Sequence, residues 1–419
     1  MRGSPGVGSE SITDRFVATR QRFLAICEPL EVEDYGLQAA AFASPPKWHL
    51  AHTSWFFETF LLKPFVADYE PLEPLYEVLF NSYYNGIGDQ HPRDQRGLLS
   101  RPTLDEVLAY REHVDRAMLS LLKRADGDAS GKDILARTVL GIEHERQHQE
   151  LFFTDLKFSL SANPLYPAYV PAAIEAQQTS APLSWTRFEE GLVEVGHSGE
   201  EFCFDNELPR HRVFLEAFEL ANRLVTNGEY QAFVDDGAYE RPELWLADGW
   251  AAVQESHWSG PLHWVDRDGE ALEFTLAGLQ PRQAGTPVSH VSGYEADAYA
   301  RWAGARLPRE AEWERVAASR ETAANAFSMD SFHPKAAEGA ELQQLYGACW
   351  QWTQSAYSPY PGFAASAGAI GEYNGKFMSN QWVLRGGSCV TPPSQARPTY
   401  RNFFYPRDRW QFSGIRLAR

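Results

Sequence analysis

"SPPKWHLAHTSWFFETFLL", residues 44–62, decides how the first part of this chain folds. Two prolines suit a first helical turn, where a missing N–H is not needed. From Trp48 onward the stretch is apolar on nearly every side, so a helix here is buried rather than laid on a surface. A buried helix needs neighbours, and the sequence supplies them. Residues 11–27 carry Phe16, Phe23, Leu24 and Cys27 at helical spacing behind a Ser-x-x-Asp start. "RPTLDEVLAYREHVDRAMLSLLKR" (101–124) opens on the capping box Thr103-x-x-Glu106 and closes on basic residues that suit the helix dipole. A fourth helix is expected over residues 131–158, after a break containing Gly127 and Gly131. Four long amphipathic helices point to a four-helix bundle, an architecture whose interior commonly holds metals. The segment between the second and third helices, residues 64–101, is too long for a tight connector, and loops of that length are often functional.

The rest of the chain has a different texture. Its 419 residues exceed what one ordinary core accommodates, so two or more domains are expected. "NPLYPAYVPAAIEAQQTSAP" (163–182), rich in Pro, Ala and Gln, reads as a linker. Beyond it come short alternating stretches such as "HRVFLEAFEL" (211–220) and "WVLRGGS" (382–388). Few helices stand out there, notably within "SGYEADAYARWAGARLPREAEWERVAA" (292–318). That texture is α+β with short, irregular strands. The expected boundaries are residues 1–165 for the bundle, 166–185 for the linker and 186–419 for the second domain.

The net charge of −18 argues against a nucleic-acid partner or an anionic membrane surface, because phosphates attract basic patches. No apolar run reaches the roughly 20 residues of a membrane helix, and "MRGSPGVGSESITDR" at the start shows no hydrophobic signal segment. Cys27, Cys203, Cys349 and Cys389 are scattered without a CxxC, which fits a reducing, cytoplasmic setting better than a disulfide-stapled fold. Nothing in the sequence fixes an oligomeric state.

Within the fourth helix, "GIEHERQHQELFF" (141–153) sets His144 and His148 four apart on one face. Ile142, Leu151 and Phe152 flank the pair, so both imidazoles are buried and need a metal or a hydrogen-bond network to compensate them. A pair is an incomplete ligand set. The second helix offers His49 and His52, and one of them facing the fourth helix completes three histidines. HERQH also spells HExxH, the zinc-protease signature with Glu145 as general base. The extended form of that motif fails for want of the downstream glycine and histidine, and a bundle core leaves a peptide little room. Three imidazoles leave up to three open positions on Fe(II), or one water on tetrahedral zinc, and ligand count does not choose between them.

Several long motifs now stand in order: "SPPKWHLAHTSWFFETF", "HERQHQE", "RLPREAEWERVAA", "EYNGKFMSNQWVLRGGSCVTPP" and "TYRNFFYPRDRWQFSGIRLA". Together they resemble the iron-dependent sulfoxide synthases of ergothioneine biosynthesis, over nearly the whole chain. The resemblance implies a multidomain α and α+β chain, a DinB-like four-helix bundle followed by a domain of the formylglycine-generating-enzyme (sulfatase-modifying-factor) fold, related to C-type lectins. It implies Fe(2+) held by His52, His144 and His148, with His49 structural and Glu145 an ordinary polar helix residue. Gln147 takes the position of a glutamine that contacts the histidine-derived substrate. The implied substrates are hercynine (Nα-trimethylhistidine), a thiol and O2. The sulfur becomes joined to C2 of the imidazole and oxidised to a sulfoxide. A tyrosine serves as proton donor, and the quaternary ammonium is suited by aromatic faces.

Two stretches depart from the best-known actinobacterial pattern of that family. "NSYYNGIGDQHPRDQR" (81–96) carries adjacent Tyr83 and Tyr84, resembling a subgroup whose active-site tyrosines lie in the N-terminal domain; two packed aromatics are the alternative reading. "RNFFYP" (401–406) stands where the actinobacterial type has Asn-Trp-Asp. Asn402 remains, Phe403 follows, and Phe404 replaces an aspartate that helps hold a γ-glutamyl group. The resemblance makes these three substrate contacts and free cysteine the expected thiol. Arg93 and Arg96 match the family's thiol-substrate arginines, and an arginine can hold a carboxylate through two parallel hydrogen bonds. The alternatives are γ-glutamylcysteine as thiol, or an ovothiol-type synthase that joins cysteine to C5 of histidine and normally adds a methyltransferase domain. Formylglycine chemistry is disfavoured, since Cys389 has no second cysteine in the element after "RGGS".

Overall fold

The computed structural model describes residues 11–125, 129–171, 179–320 and 332–419. The chain divides into two compact units, Met1–Leu156 and Lys157–Arg419. Gly127 of the expected break and residues 172–178 of the expected linker lie outside the described residues. Among the described residues no helix is long and apolar enough to cross a membrane.

The first unit is built on α1 (Ile12–Cys27), α2 (Pro46–Phe57), α3 (Leu104–Ala125) and α4 (Gly131–Ser161), whose last turn runs past the unit boundary. The starts of the first three follow from their residues. Ser11 caps α1, its Oγ accepting from Asp14 N at 3.1 Å. Pro45 and Pro46 open α2. Thr103 N donates to Glu106 Oε2 at 2.6 Å while Glu106 N donates to Thr103 Oγ1 at 3.3 Å, the reciprocal cap of α3. Every residue of α2 except Lys47 is buried, as its all-round apolar pattern demands. Burying side chains such as Phe16, Phe57, Val114, Met118, Ile142 and Phe152 stabilises the bundle by about 1.5–3 kcal/mol each.

One local feature sets how closely α2 and α4 meet. A Cβ on Gly141 of α4 would stand 2.4 Å from the Phe57 ring, so only glycine allows this approach. After Phe57 the helix widens into a π turn, Glu58–Leu62. Glu58 stays inside, accepting from the hydroxyls of Tyr69 at 2.6 Å and Tyr110 at 2.8 Å. The long connector that follows holds a short helical turn, Tyr76–Leu79, and a 3-10 turn, Arg93–Leu98.

The second unit is α+β with short strands. Its small sheets pair β1 (Trp185–Phe188) with β4 (Phe218–Ala221), β2 (Gly191–Val195) with β3 (His211–Leu215), and β5 (Trp264–Arg267) with β6 (Glu270–Thr275) and β7 (Gly278–Pro281). A four-stranded sheet runs in the order β10-β9-β8-β11, from β8 (Trp350–Ala356), β9 (Trp382–Arg385), β10 (Asn402–Phe404) and β11 (Ser413–Gly414). The 292–318 stretch becomes two helices, Gly293–Trp302 and Glu310–Ala317. Gly304 between them takes φ +65°, which a side chain would resist. Glu310 ties the sheet to the second of these helices, with Arg385 and Arg401 each at 2.9 Å.

Candidate metal centre

Helical spacing puts His144 and His148 on one face of α4, and α2 presents His52 to them. The three are buried, and their ligand nitrogens all lie within 4.8 Å of one another. Among the described residues no other group of three or more His, Cys, Asp or Glu converges in this way. His52 Nδ1 lies 2.6 Å from the Phe80 carbonyl, which can only accept. That nitrogen therefore carries the proton, and Nε2 keeps its lone pair. Nε2 faces His144 Nε2 at 3.2 Å. Two nitrogens each about 2.1 Å from one ion at a right angle stand about 3 Å apart, so the pair fits a shared cation.

Aromatic rings hold the cluster in place. Trp48 and Trp55, four before and three after His52, stack on its ring with centroids 4.5 and 5.4 Å away. Phe56 stacks on His144 at 4.4 Å. Burial, then the nearby His144, pushes the basicity of His52 and His148 well below the ordinary imidazole range. Burial likewise takes His144 down to about 3. Neutral, inward-facing imidazoles are a donor set for a divalent transition metal.

His49 is more than packing. Its Nδ1 is 2.9 Å from His148 Nδ1, and its Nε2 is 3.1 Å from Asp155 Oδ2, which also accepts from Ser44 N at 2.8 Å. Asp155 escaped the sequence reading, although it stands seven residues after His148 and so on the same helix face. Glu145 is no ordinary polar helix residue. It is fully buried and accepts from Arg20 Nη1 at 2.8 Å and Arg111 Nη2 at 3.0 Å, tying α4 to α1 and α3. Burial opposes its charge, but the two arginines outweigh burial and hold its carboxyl below the ordinary range. A base so engaged is not placed for the protease role.

The remaining expected residues divide. Tyr83 and Tyr84 stack at 4.5 Å with hydroxyls 3.4 Å apart; Tyr84 is buried and packs on Trp55, which itself stacks on His52. Tyr83 is half-buried. Arg96 is buried with its guanidinium 3.5 Å above the Trp48 ring, donating to Ser44 Oγ at 2.9 Å. Burial, then Arg93, disfavours its charge. Arg93 is exposed, and its carbonyl accepts from Gln38 Nε2 at 2.7 Å. Gln147 is half-buried on α4, three residues after His144. Asn402, Phe403 and Phe404 form edge strand β10 of the second unit. There Phe403 stacks on Tyr357 at 4.0 Å and Phe404 packs edge-on to Trp410 at 5.5 Å.

Comparison with known proteins agrees with both halves of this description. Residues 15–152 match the DinB superfamily, and residues 172–341 and 322–419 match the sulfatase-modifying factor enzyme 1-like domain. The chain is 30% identical to a hercynine oxygenase of Mycolicibacterium smegmatis, over 98% of this chain and 99% of that one. It is 32% identical to hercynine oxygenases of Mycobacterium tuberculosis, over 90% of this chain and 91% of that one, and of Mycolicibacterium thermoresistibile, over 90% and 87%.

Proposed function

This chain belongs to the hercynine oxygenase family, and from that premise we propose that it is an iron(II)-dependent sulfoxide synthase. It joins the sulfur of cysteine to C2 of the hercynine imidazole and oxidises that sulfur. The observation that carries this reading is the buried convergence of His52, His144 and His148 inside the DinB-like unit. Electrons and atoms balance with O2 as the oxidant. Joining S–H and C2–H into a C–S bond releases two electrons, oxidising the sulfur releases two more, and one oxygen atom leaves as water.

When bound, iron supplies the reduction of O2 and a common anchor for thiol and imidazole. The protein does the rest. His52, His144 and His148 hold the metal, while Trp48, Trp55 and Phe56 fix two of the rings and keep water away from them. Arg96 receives the carboxylate of the thiol substrate. Among the described residues no carboxylate lies within ion-pair distance of it, and its buried Nε has no hydrogen-bond partner. A buried cation in that state favours an arriving anion. Tyr84, with Tyr83 beside it, holds the proton that the oxidation step consumes, a role worth about 10²–10⁴ in rate.

The test is anaerobic reconstitution with Fe(II), followed by hercynine, cysteine and O2, with products read by mass spectrometry and proton NMR. The expected product is a C2-linked hercynyl cysteine sulfoxide. A C5 linkage on unmethylated histidine, or no C–S product at all, overturns the proposal.

A further inference from the structure

We infer that Asp155 and His49 are positioning residues for the metal: they form a relay that fixes His148 in the tautomer able to ligate. The inference rests on the three-histidine reading above and extends it to residues outside the ligand set. An ionised carboxylate only accepts, so at 3.1 Å from Asp155 Oδ2 it is His49 Nε2 that carries the ring proton. Between two facing ring nitrogens one has to accept, and with its ring proton already on Nε2 His49 offers the lone pair, on Nδ1. That lone pair faces His148 Nδ1 at 2.9 Å, so His148 donates from Nδ1 and its Nε2 keeps a lone pair. His52 reaches the same state through the Phe80 carbonyl. In both rings the nitrogen engaged with a group outside the ligand set is protonated, which leaves the other able to bind. Without the relay His148 can carry its proton on Nε2, and an N–H aimed at a cation is not a ligand.

The relay also supplies charge. Three imidazoles bring none, so a divalent ion among them sits uncompensated in a buried site. Asp155 is 3% exposed and His49 2%, so the negative charge is little screened by water and polarises His148 through one intervening ring. Ser44 N holds the same carboxylate oxygen at 2.8 Å, which anchors the far end of the chain of hydrogen bonds. The two helices share the work: α2 gives ligand His52 and relay His49, and α4 gives ligands His144 and His148 and relay Asp155.

The test separates the two nitrogens of His49. His49→Asn sets a carbonyl oxygen near the Nδ1 position, where it can accept from His148. His49→Gln reaches the Nε2 position, meets Asp155, and leaves His148 Nδ1 without its acceptor. Anaerobic titration of the full chain with Co(II), followed by visible absorption, and with Fe(II) against a competing chelator gives the dissociation constant without turnover. The expected result is a loss of about 10–100-fold for His49→Gln and less than about threefold for His49→Asn. Equal affinities for the two variants overturn the relay, because His49 then serves only packing. Failure of the wild-type chain to bind either ion overturns the three-histidine reading itself. A measurement without variants guards against misfolding. In ¹⁵N-histidine spectra of the metal-free wild type, His148 should show a protonated Nδ1 and an unprotonated Nε2, and the reverse assignment overturns the inference.

Discussion

Glu145→Gln will weaken the bundle without removing a catalytic base. The side chain is fully buried between Arg20 Nη1 at 2.8 Å and Arg111 Nη2 at 3.0 Å. An amide has one acceptor oxygen, so one guanidinium will face an NH2 group instead of a carboxylate. Arg20 is partly covered, since it keeps Asp115 at 2.7 Å and Ser54 Oγ at 2.7 Å. Arg111 keeps Thr53 Oγ1 and the carbonyls of Leu50 and Arg20, but among the described residues no other carboxylate in contact. Breaking a buried pair costs about 3–5 kcal/mol, and the cover on Arg20 puts this case near the lower end, about 3 kcal/mol. The carboxyl is held below its ordinary range, so its stabilisation is present at neutral pH and is lost as pH falls through the depressed value. Equilibrium urea unfolding of the metal-free chain at neutral pH, followed by far-UV circular dichroism, reads the loss. Metal affinity of the folded variant is measured alongside. A destabilisation below about 1 kcal/mol, the range of a surface ion pair, would refute the reasoning. So would full stability combined with loss of turnover, which would return Glu145 to a catalytic role.

Gly141→Ala drives a methyl group into the Phe57 ring and should cost about 1–3 kcal/mol, less a helix-propensity gain of up to about 1 kcal/mol. A raised melting temperature contradicts the close approach. Acid should destabilise the metal-free bundle, because histidines held neutral when folded take up protons once unfolded. The unfolded state binds more protons below about pH 6.5, so stability falls by up to about 1.4 kcal/mol per pH unit for each such histidine as pH drops. A flat urea midpoint between neutral and mildly acidic pH contradicts it. The double variant Tyr83→Phe, Tyr84→Phe should lower sulfoxide formation by about 10²–10⁴, and wild-type rates would remove both phenols from the mechanism. On the resemblance alone, which sets Phe404 where relatives of the actinobacterial type have an aspartate, we propose that cysteine outcompetes γ-glutamylcysteine by about ten- to a hundredfold, the worth of one charge-assisted hydrogen bond. Competition at equal thiol concentrations decides it, and a γ-glutamyl adduct dominating the products contradicts it.

Much of this was legible in the letters, and the rest was not for definite reasons. The four helices of the first unit announce themselves because periodicity and caps are local: Ser11 and Thr103 each accept from the residue three positions on, and Pro46 sits in the first turn. The strands of the second unit are short and pair across distant positions, as β1 does with β4, so only their texture could be read. The buried Arg20–Glu145–Arg111 pairing joins three helices, and no spacing within one of them reveals it.

The centre itself shows how far a motif can mislead. HExxH draws the eye to the acid beside the first histidine, yet one residue is about 100° round a helix. Glu145 accordingly leaves the face of His144 and meets the arginines of α1 and α3. Seven residues bring an α-helix back to within about 20° of its starting direction. Asp155 stands seven beyond His148 and is the acid that reaches the centre, through His49. Where a histidine pair lies on a buried helix, the carboxylate that sets its chemistry is sought at the spacing that preserves the face, and adjacency in the sequence points away from it.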